Sequence, residues 1–314
     1  MQPLGDVLPL RPLSLGELFD RAVTIYVRNA WLFLGIGLVI ALVNAALVFP
    51  FEMHGNAFLG HLGTILAHPG SPQARRLSAQ FSADAVPMVI TGFVQFLLLQ
   101  PLLYQACAIG VAARYRGEPA TLVGCLRSAF SRWPRGVAMA LLVTLATLVW
   151  YAGFVIVAVV AILAVVWAFH VLPILGIVTG VLAVIVALAL LLVLPLELLA
   201  GAYALCTMTL EDGGVFAALG RGFARVFARD QWWRAILLTL AWGVLQSVIS
   251  IGGLGMIALV VASKVATLPL EILINVLVTT LGGSFLPVLL SVYYFDLRIR
   301  RDGVDLAVGV ARWS

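Results

Sequence analysis

The hydrophobic and polar positions of this chain fall into long blocks. Five long, predominantly apolar runs contain no Asp, Glu, Lys or Arg: residues 29–51, 85–113, 136–196, 235–263 and 272–295. A charge at the centre of a bilayer costs at least ~2.5–3.5 kcal/mol, so charge-free runs of about 20 residues mark membrane crossings. The run over 136–196 is long enough for two crossings, and His170-Val171-Leu172-Pro173 breaks it with a titratable ring and a helix-stopping proline. The pattern predicts six spans. All six are read as helices, because isolated strands would leave backbone groups unpaired in hydrocarbon and the period of two that marks a membrane barrel is missing.

Between the apolar blocks lies a second pattern. Leu15 to Arg28, Leu122 to Arg135 and Phe216 to Arg229 align without gaps, and each ends in arginine. Matching columns hold Leu15, Leu122 and Phe216; Leu18, Cys125 and Leu219; Ala22, Ala129 and Phe223; and Tyr26, Trp133 and Phe227. Their spacing of three and four puts them on one face of a helix. Asp20, Arg127 and Arg221 occupy the opposite face. Ser14 followed by Glu17 is a capping box, and Thr121 after Pro119 starts the second segment. The expected fold is all-α: six transmembrane helices plus three interfacial amphipathic helices. The chain reads as a single membrane domain over 1–314, a threefold repeat of helix plus transmembrane hairpin. The units fall at approximately 13–113, 119–205 and 213–297, with a charged tail over 298–314.

Composition supports the same reading. Of the 314 residues 63% are hydrophobic and 11% charged, against roughly 45–50% and 25% in soluble proteins. A soluble globule is excluded. With the N-terminus inside, sixteen of the nineteen Lys and Arg fall on the cytoplasmic side, and only Arg75, Arg76 and Lys264 on the other. The positive-inside rule therefore predicts both termini cytoplasmic. The net charge of +5 then describes a basic inner face beside an anionic leaflet, and no nucleic-acid partner is expected. Arg21 and Arg28 fall where a signal peptide would need an apolar core, so the first span should remain as an anchor. Cys107, Cys125 and Cys206 are expected as free thiols.

Three stretches carry a family likeness. They are Leu10-Arg11-Pro12-Leu13-Ser14-Leu15-Gly16-Glu17-Leu18-Phe19-Asp20-Arg21-Ala22, the central Glu211-Asp212-Gly213-Gly214, and the run from Tyr294 through Asp296, Arg298, Arg300, Asp302 and Gly303 to Asp305-Leu306. Together these resemble a family of bacterial six-helix membrane proteins labelled as similar to the membrane domain of glycerophosphoryl diester phosphodiesterase. The resemblance spans nearly the whole chain and implies a location in the bacterial inner membrane. The label refers to a non-catalytic anchor. The soluble barrel that would supply Glu, Asp and His metal ligands has no room here, so the resemblance implies no phosphodiesterase activity.

Several residues are candidates for interaction or function. Asp296, Arg298, Arg300, Arg301, Asp302 and Asp305 place six charges in ten residues after the sixth span, with Gly303 able to form a tight turn. Asp296 with Arg300 and Arg298 with Asp302 stand four apart and can pair on a continuing helix, while Asp305 could reach Arg221. Glu17 and Asp20 on the first amphipathic segment are further candidates. Glu197 is the clear intramembrane charge: an acid there is a functional candidate, or it snorkels toward Arg221 or Arg225. In the fifth and sixth spans, Gly252-Gly253 with Gly255 and Gly282-Gly283-Ser284 with Pro287 suggest interruptions, near Gln246, Ser250, Asn275 and Thr279. Such paired breaks mark substrate sites in some transporters, although small residues more commonly serve close packing. His54, His61, His68 and His170 share the outer side but match no compact metal motif, and no metal or cofactor is expected.

No Walker loop, dinucleotide fingerprint, GxSxG elbow or HExxH occurs. The expected function is a non-enzymatic scaffold, regulator or accessory subunit, contacting the bilayer and a membrane or cytoplasmic protein partner. The alternative is a transporter or channel for a small or lipid-like solute, using Glu197 and the glycine-rich spans.

Overall fold

The computed structural model describes residues 11–60, 71–211, 213–228, 231–262 and 268–302. Every element among them is an α-helix: α1 (Leu15–Arg28), α2 (Ala30–Gly60), α3 (Pro72–Tyr115), α4 (Leu122–Val171), α5 (Pro173–Leu210), α6 (Val215–Val226), α7 (Trp232–Ala262) and α8 (Leu268–Asp302). Five carry stretches long and apolar enough to cross a membrane: Ala30–Leu47, Val89–Tyr115, Leu122–Val171, Trp232–Gly253 and Ile272–Arg301. Helix α5 runs unbroken for 38 residues. Its apolar stretches among the described side chains are Pro173–Ala187 and Leu196–Leu210. The break at Leu172 and Pro173 falls where the sequence predicts it, with Leu172 extended (φ −156°, ψ 126°) and proline in the first turn of α5.

The start of α4 departs from expectation. Leu122 to Arg135 is not a separate amphipathic helix: α4 continues through Pro134 for 50 residues, about 75 Å at 1.5 Å per residue. Pro134 removes a backbone donor but does not end the helix. Side chains stitch this region to α3 instead. Trp133 Nε1 donates to Leu98 O at 2.7 Å, three residues before the in-helix Pro101, and Gln105 Nε2 reaches Arg132 O at 3.4 Å.

The chain divides into two compact units; of the described residues, one takes 22–133 and 245–289, the other 11–21, 134–244 and 290–302. In the first, α2 packs on α3. Tyr26 stacks on Phe33, meets Phe285 edge-on and shares a 2.7 Å hydrogen bond with Ser284 Oγ. Gly37 lets α2 approach α8, since a Cβ there would lie 2.9 Å from Ser284 Cβ and 3.0 Å from Thr280 O. The glycine-rich stretches behave likewise. Helices α7 and α8 run unbroken through Gly252-Gly253-Gly255 and Gly282-Gly283-Pro287, so the expected interruptions do not occur. A Cβ on Gly253 would meet Val278 at 2.8 Å, and one on Gly282 would meet Gln246 at 3.1 Å. The polar groups nearby bond along their own helices, Gln246 to Ser250 and Thr279 to Asn275, which is how membrane helices satisfy such groups.

In the second unit α5 packs on α6. The buried face of α6 is Ala218, Gly222 and Val226, rotated from the predicted face of Phe216, Leu219, Phe223 and Phe227. Close approach decides this: Gly222 lies against Ala200 O and Ala204, at 3.1 and 2.8 Å from an added Cβ, and no larger side chain fits. Phe216 is consequently exposed. In α1, by contrast, Leu18 and Ala22 are buried as the pattern predicts, Leu15 and Tyr26 of the same predicted face are partly buried, and Ile25 is buried beside them. The second unit's core includes Tyr203, Tyr293 and Tyr294, whose rings contact one another at centroid distances of 6.2 and 5.5 Å.

Candidate functional site

Two carboxylates organise the polar end of the second unit. The first is Glu211, the residue that ends α5, where the chain turns into α6 through Gly213 and Gly214. Gly213 has φ +148°, a conformation that favours glycine. The turn folds α6 back onto α5, bringing Arg221 and Arg225 to the acid. Arg225 Nη1 donates to Glu211 Oε1 at 2.7 Å, Arg221 Nε stands 3.3 Å from Oε2, and Arg298 Nε stands 3.7 Å from Oε1. Tyr294 OH donates to Oε1 at 2.8 Å, and accepts from Arg298 Nη1 at 3.3 Å. Burial opposes ionisation of Glu211, but the hydrogen bonds from Arg225 and Tyr294 and the charges of Arg225 and Arg298 outweigh it, and the carboxyl is held below the usual glutamate range.

The second carboxylate, Asp296, is 1% exposed. Its Oδ1 accepts from the Leu13 backbone N–H at 2.7 Å, and its Oδ2 lies 3.0 Å from both Arg234 Nη1 and Arg300 Nε. The same two arginines return to Leu13 O, Arg234 Nη2 at 2.7 Å and Arg300 Nη2 at 2.6 Å. The backbone of one residue thus gives its N–H to the carboxylate and its carbonyl to the carboxylate's counter-ions. This ties the segment before α1 to the start of α7 and the end of α8. The geometry is of the charge-assisted kind that makes short, directional hydrogen bonds.

Other predicted residues are placed as follows. Glu17 completes its capping box: Ser14 N–H donates to Oε2 at 2.8 Å, Glu17 N–H donates to Ser14 Oγ at 3.3 Å, and Arg11 pairs with the carboxylate. The Ser14 backbone bond, then Arg11 and the Ser14 hydroxyl, bring the Glu17 pKa down to about 2. Asp20 is exposed. Asp296 and Arg300 pair as the spacing predicts, and Arg298 meets Glu211; the expected pairing of Arg298 with Asp302 falls on a side chain outside the described residues. The Asp302 side chain, Gly303 and Asp305 lie outside the described residues.

Glu197 does not snorkel to Arg221 or Arg225, because Glu211 takes both. It is 6% exposed, and Thr147 Oγ1 donates to it at 3.3 Å. It lines an open, mostly apolar cavity of about 530 Å³ with Leu145, Trp150, Phe223 and Phe227. His170 is exposed, and the side chains of His54, His61 and His68 lie outside the described residues. Among the described residues no three His, Cys, Asp or Glu come together as metal ligands. Cys107, Cys125 and Cys206 form no disulfide and are buried.

The hub role of Glu211 and the part played by the Leu13 peptide were not legible in the residue pattern. Glu211 ends an apolar helix beside two glycines, with arginines ten and fourteen residues later, which is the signature of a tight helical hairpin closed by an acid. For Leu13 there was no comparable signal, since its contribution is made by backbone atoms. Compared with family models, curated proteins and solved structures, the chain matches none.

Proposed function

We propose that this chain is a six-span, non-enzymatic protein of the bacterial cytoplasmic membrane, with both termini on the cytoplasmic side, acting as a scaffold, regulator or accessory subunit. The supporting observation is the use made of its charges. Glu211 and Asp296 engage five arginines to join α5, α6, α7, α8 and the segment before α1. Acids and bases committed to one another in this way hold a shape. Catalysis would instead need an acid, a base and a nucleophile converging on open space. The sixth span in this reading is α5, and the family resemblance and the threefold repeat belong to the same proposal.

The presented surface would include the exposed side chains Asp20 and Phe216 of the second unit. Photo-crosslinking residues at Asp20 and Phe216, activated in intact membranes, test this. A discrete adduct with one protein, reproducible from both positions, is the expected result. Only diffuse lipid adducts from both positions would refute the scaffold reading.

The cavity around Glu197 favours a second reading, a carrier or channel for a small or lipid-like solute. Solute uptake into proteoliposomes that disappears in Glu197→Gln, in a protein that gives no crosslinked partner, would replace the first reading by the second.

A further inference from the structure

Within the first unit, where α1 ends and α2 begins, an open cavity of about 470 Å³ is lined by Arg28, Asn29, Ala30, Trp31, Arg114 and Leu122, among others. We propose that it binds a phosphate group, carried by an anionic lipid headgroup or by a small soluble phosphate.

Four observations converge on that ligand chemistry. First, among the described residues two guanidiniums line the cavity and no carboxylate does. The nearby acid, Glu118, is taken by Arg116 at 2.9 Å. Second, the Nε of Arg114 is buried without a hydrogen-bond partner. A buried cationic donor left unbonded is a rarity that calls for an acceptor, and phosphate oxygens suit the planar guanidinium fork. Third, two helix N-termini contribute to the same wall. Ala30 and Trp31 open α2, and Leu122 opens α4. Asn29 O takes the N–H groups of Leu32 and Phe33, while Ala30 and Trp31 lie at the cavity with the positive end of the helix dipole. Fourth, Trp31 is 94% exposed beside the two arginines. Indole rings concentrate at the headgroup level of bilayers, which favours the lipid as the source of the phosphate.

That preference for lipid rests on the proposed reading of this end as the inner-leaflet face; the phosphate chemistry does not. Arg28 is exposed and Arg114 partly buried, so the first can meet an incoming anion while the second holds it inside. Arg116, exposed and paired with Glu118, belongs to the same loop but does not line the cavity, and provides an internal control.

The test uses the full chain purified in a maltoside detergent free of phosphate. Native mass spectrometry counts bound dioleoyl phosphatidic acid against dioleoylglycerol, which lacks the phosphate, and calorimetry titrates inorganic phosphate. The expected result is one molecule of phosphatidic acid per chain, no retained diacylglycerol, and an affinity about tenfold weaker in both Arg114→Gln and Arg28→Gln, as befits loss of a charge-assisted contact. Arg116→Gln should bind like the wild type. Saturable inorganic phosphate binding with the same arginine dependence would identify a soluble phosphate as the ligand. Should Arg114→Gln fail to fold, Arg28→Gln on its exposed side chain decides the matter. The proposal is overturned if neither phosphatidic acid nor phosphate binds, if both bind the Arg28 variant as well as the wild type, or if Arg116→Gln weakens binding equally. The phosphate titration in detergent requires neither a protein partner nor a defined membrane orientation, so its outcome is separate from the fate of the scaffold reading.

Discussion

Asp296→Ala removes one carboxylate and strands three donors. Leu13 N–H loses its 2.7 Å acceptor, and Arg234 and Arg300 each lose a 3.0 Å counter-ion. Deleting one member of a buried ion pair costs about 3–5 kcal/mol, and an unsatisfied buried N–H adds about 1–3 kcal/mol. Two features moderate this. The arginine side chains are 16% and 28% exposed, so water can reach them, and both keep Leu13 O. The balance is about 4 kcal/mol, a thousandfold rise in the unfolding constant. Asp296→Asn keeps an acceptor for Leu13 and should cost about half as much. Unfolding in mixed micelles by titration with dodecyl sulfate, followed by helicity, measures both. A sharper check adds Arg300→Gln. Alone it removes a favourable partner and destabilises; on the Asp296→Ala background it removes a stranded positive charge and should stabilise. If both Asp296 variants lose under about 1 kcal/mol, or if the double variant is simply additive, Asp296 is not the structural tie inferred from its contacts.

The other predictions are briefer. Glu211→Gln should cost about 2–3 kcal/mol in the same assay, since three arginines lose their shared anion; Arg116→Gln, at an exposed pair, should be nearly silent. The pH dependence has a definite sign. Glu17 and Glu211 both have folded-state pKa values below those of an unfolded chain, so near pH 4 the folded state binds fewer protons than the unfolded. Their stabilisation is present above about pH 4.3 and is lost as pH falls through the folded-state values, about 2 for Glu17. Thermal scans at stepped pH should show this fall, with a shallower slope in Glu17→Gln and in Glu211→Gln; an unchanged slope in both contradicts it. Gly37→Ala should destabilise by about 1–3 kcal/mol because the added methyl meets α8 backbone at 3.0 Å, whereas Gly92→Ala, with nothing within 4 Å, should stabilise by about 0.5–1 kcal/mol.

Residue pattern alone carries much of this fold, for identifiable reasons. Charge-free runs located the long apolar helices because hydrocarbon tolerates so few charges. The Ser14 and Glu17 cap and the Asp296 and Arg300 pair were legible because both are local, set by three- and four-residue spacing. What failed was non-local. The buried face of α6 is set by how close Gly222 comes to Ala200 and Ala204, and a hydrophobicity pattern weighted toward phenylalanine points to the wrong side. Leu122 to Arg135 read as a separate amphipathic segment because its pattern is local, while the side-chain bonds at its end, from Trp133 and Gln105 to carbonyls on the neighbouring helix, come only with packing. The glycines of α7 and α8 left both breaks and close packing open, and the contacts that favour packing, Gly253 on Val278 and Gly282 on Gln246, are non-local too. Leu13 could not have been found at all from side-chain chemistry, since its peptide group makes the contacts.

The account depends most on topology: six spans, with the Glu211 and Asp296 networks on the cytoplasmic side. Single-cysteine accessibility in oriented cells tests it directly, because Cys107, Cys125 and Cys206 are buried and give a low background. Cysteines placed at the exposed positions Asp20, Gly117, Gly220 and His170 are challenged with a membrane-impermeant maleimide before and after permeabilisation. The account predicts that His170→Cys reacts in intact cells, while Asp20→Cys, Gly117→Cys and Gly220→Cys react only once the membrane is opened. Labelling of His170→Cys and Gly220→Cys from the same side would mean that α5 does not cross, and would contradict the six-span arrangement together with the cytoplasmic placement of both carboxylates.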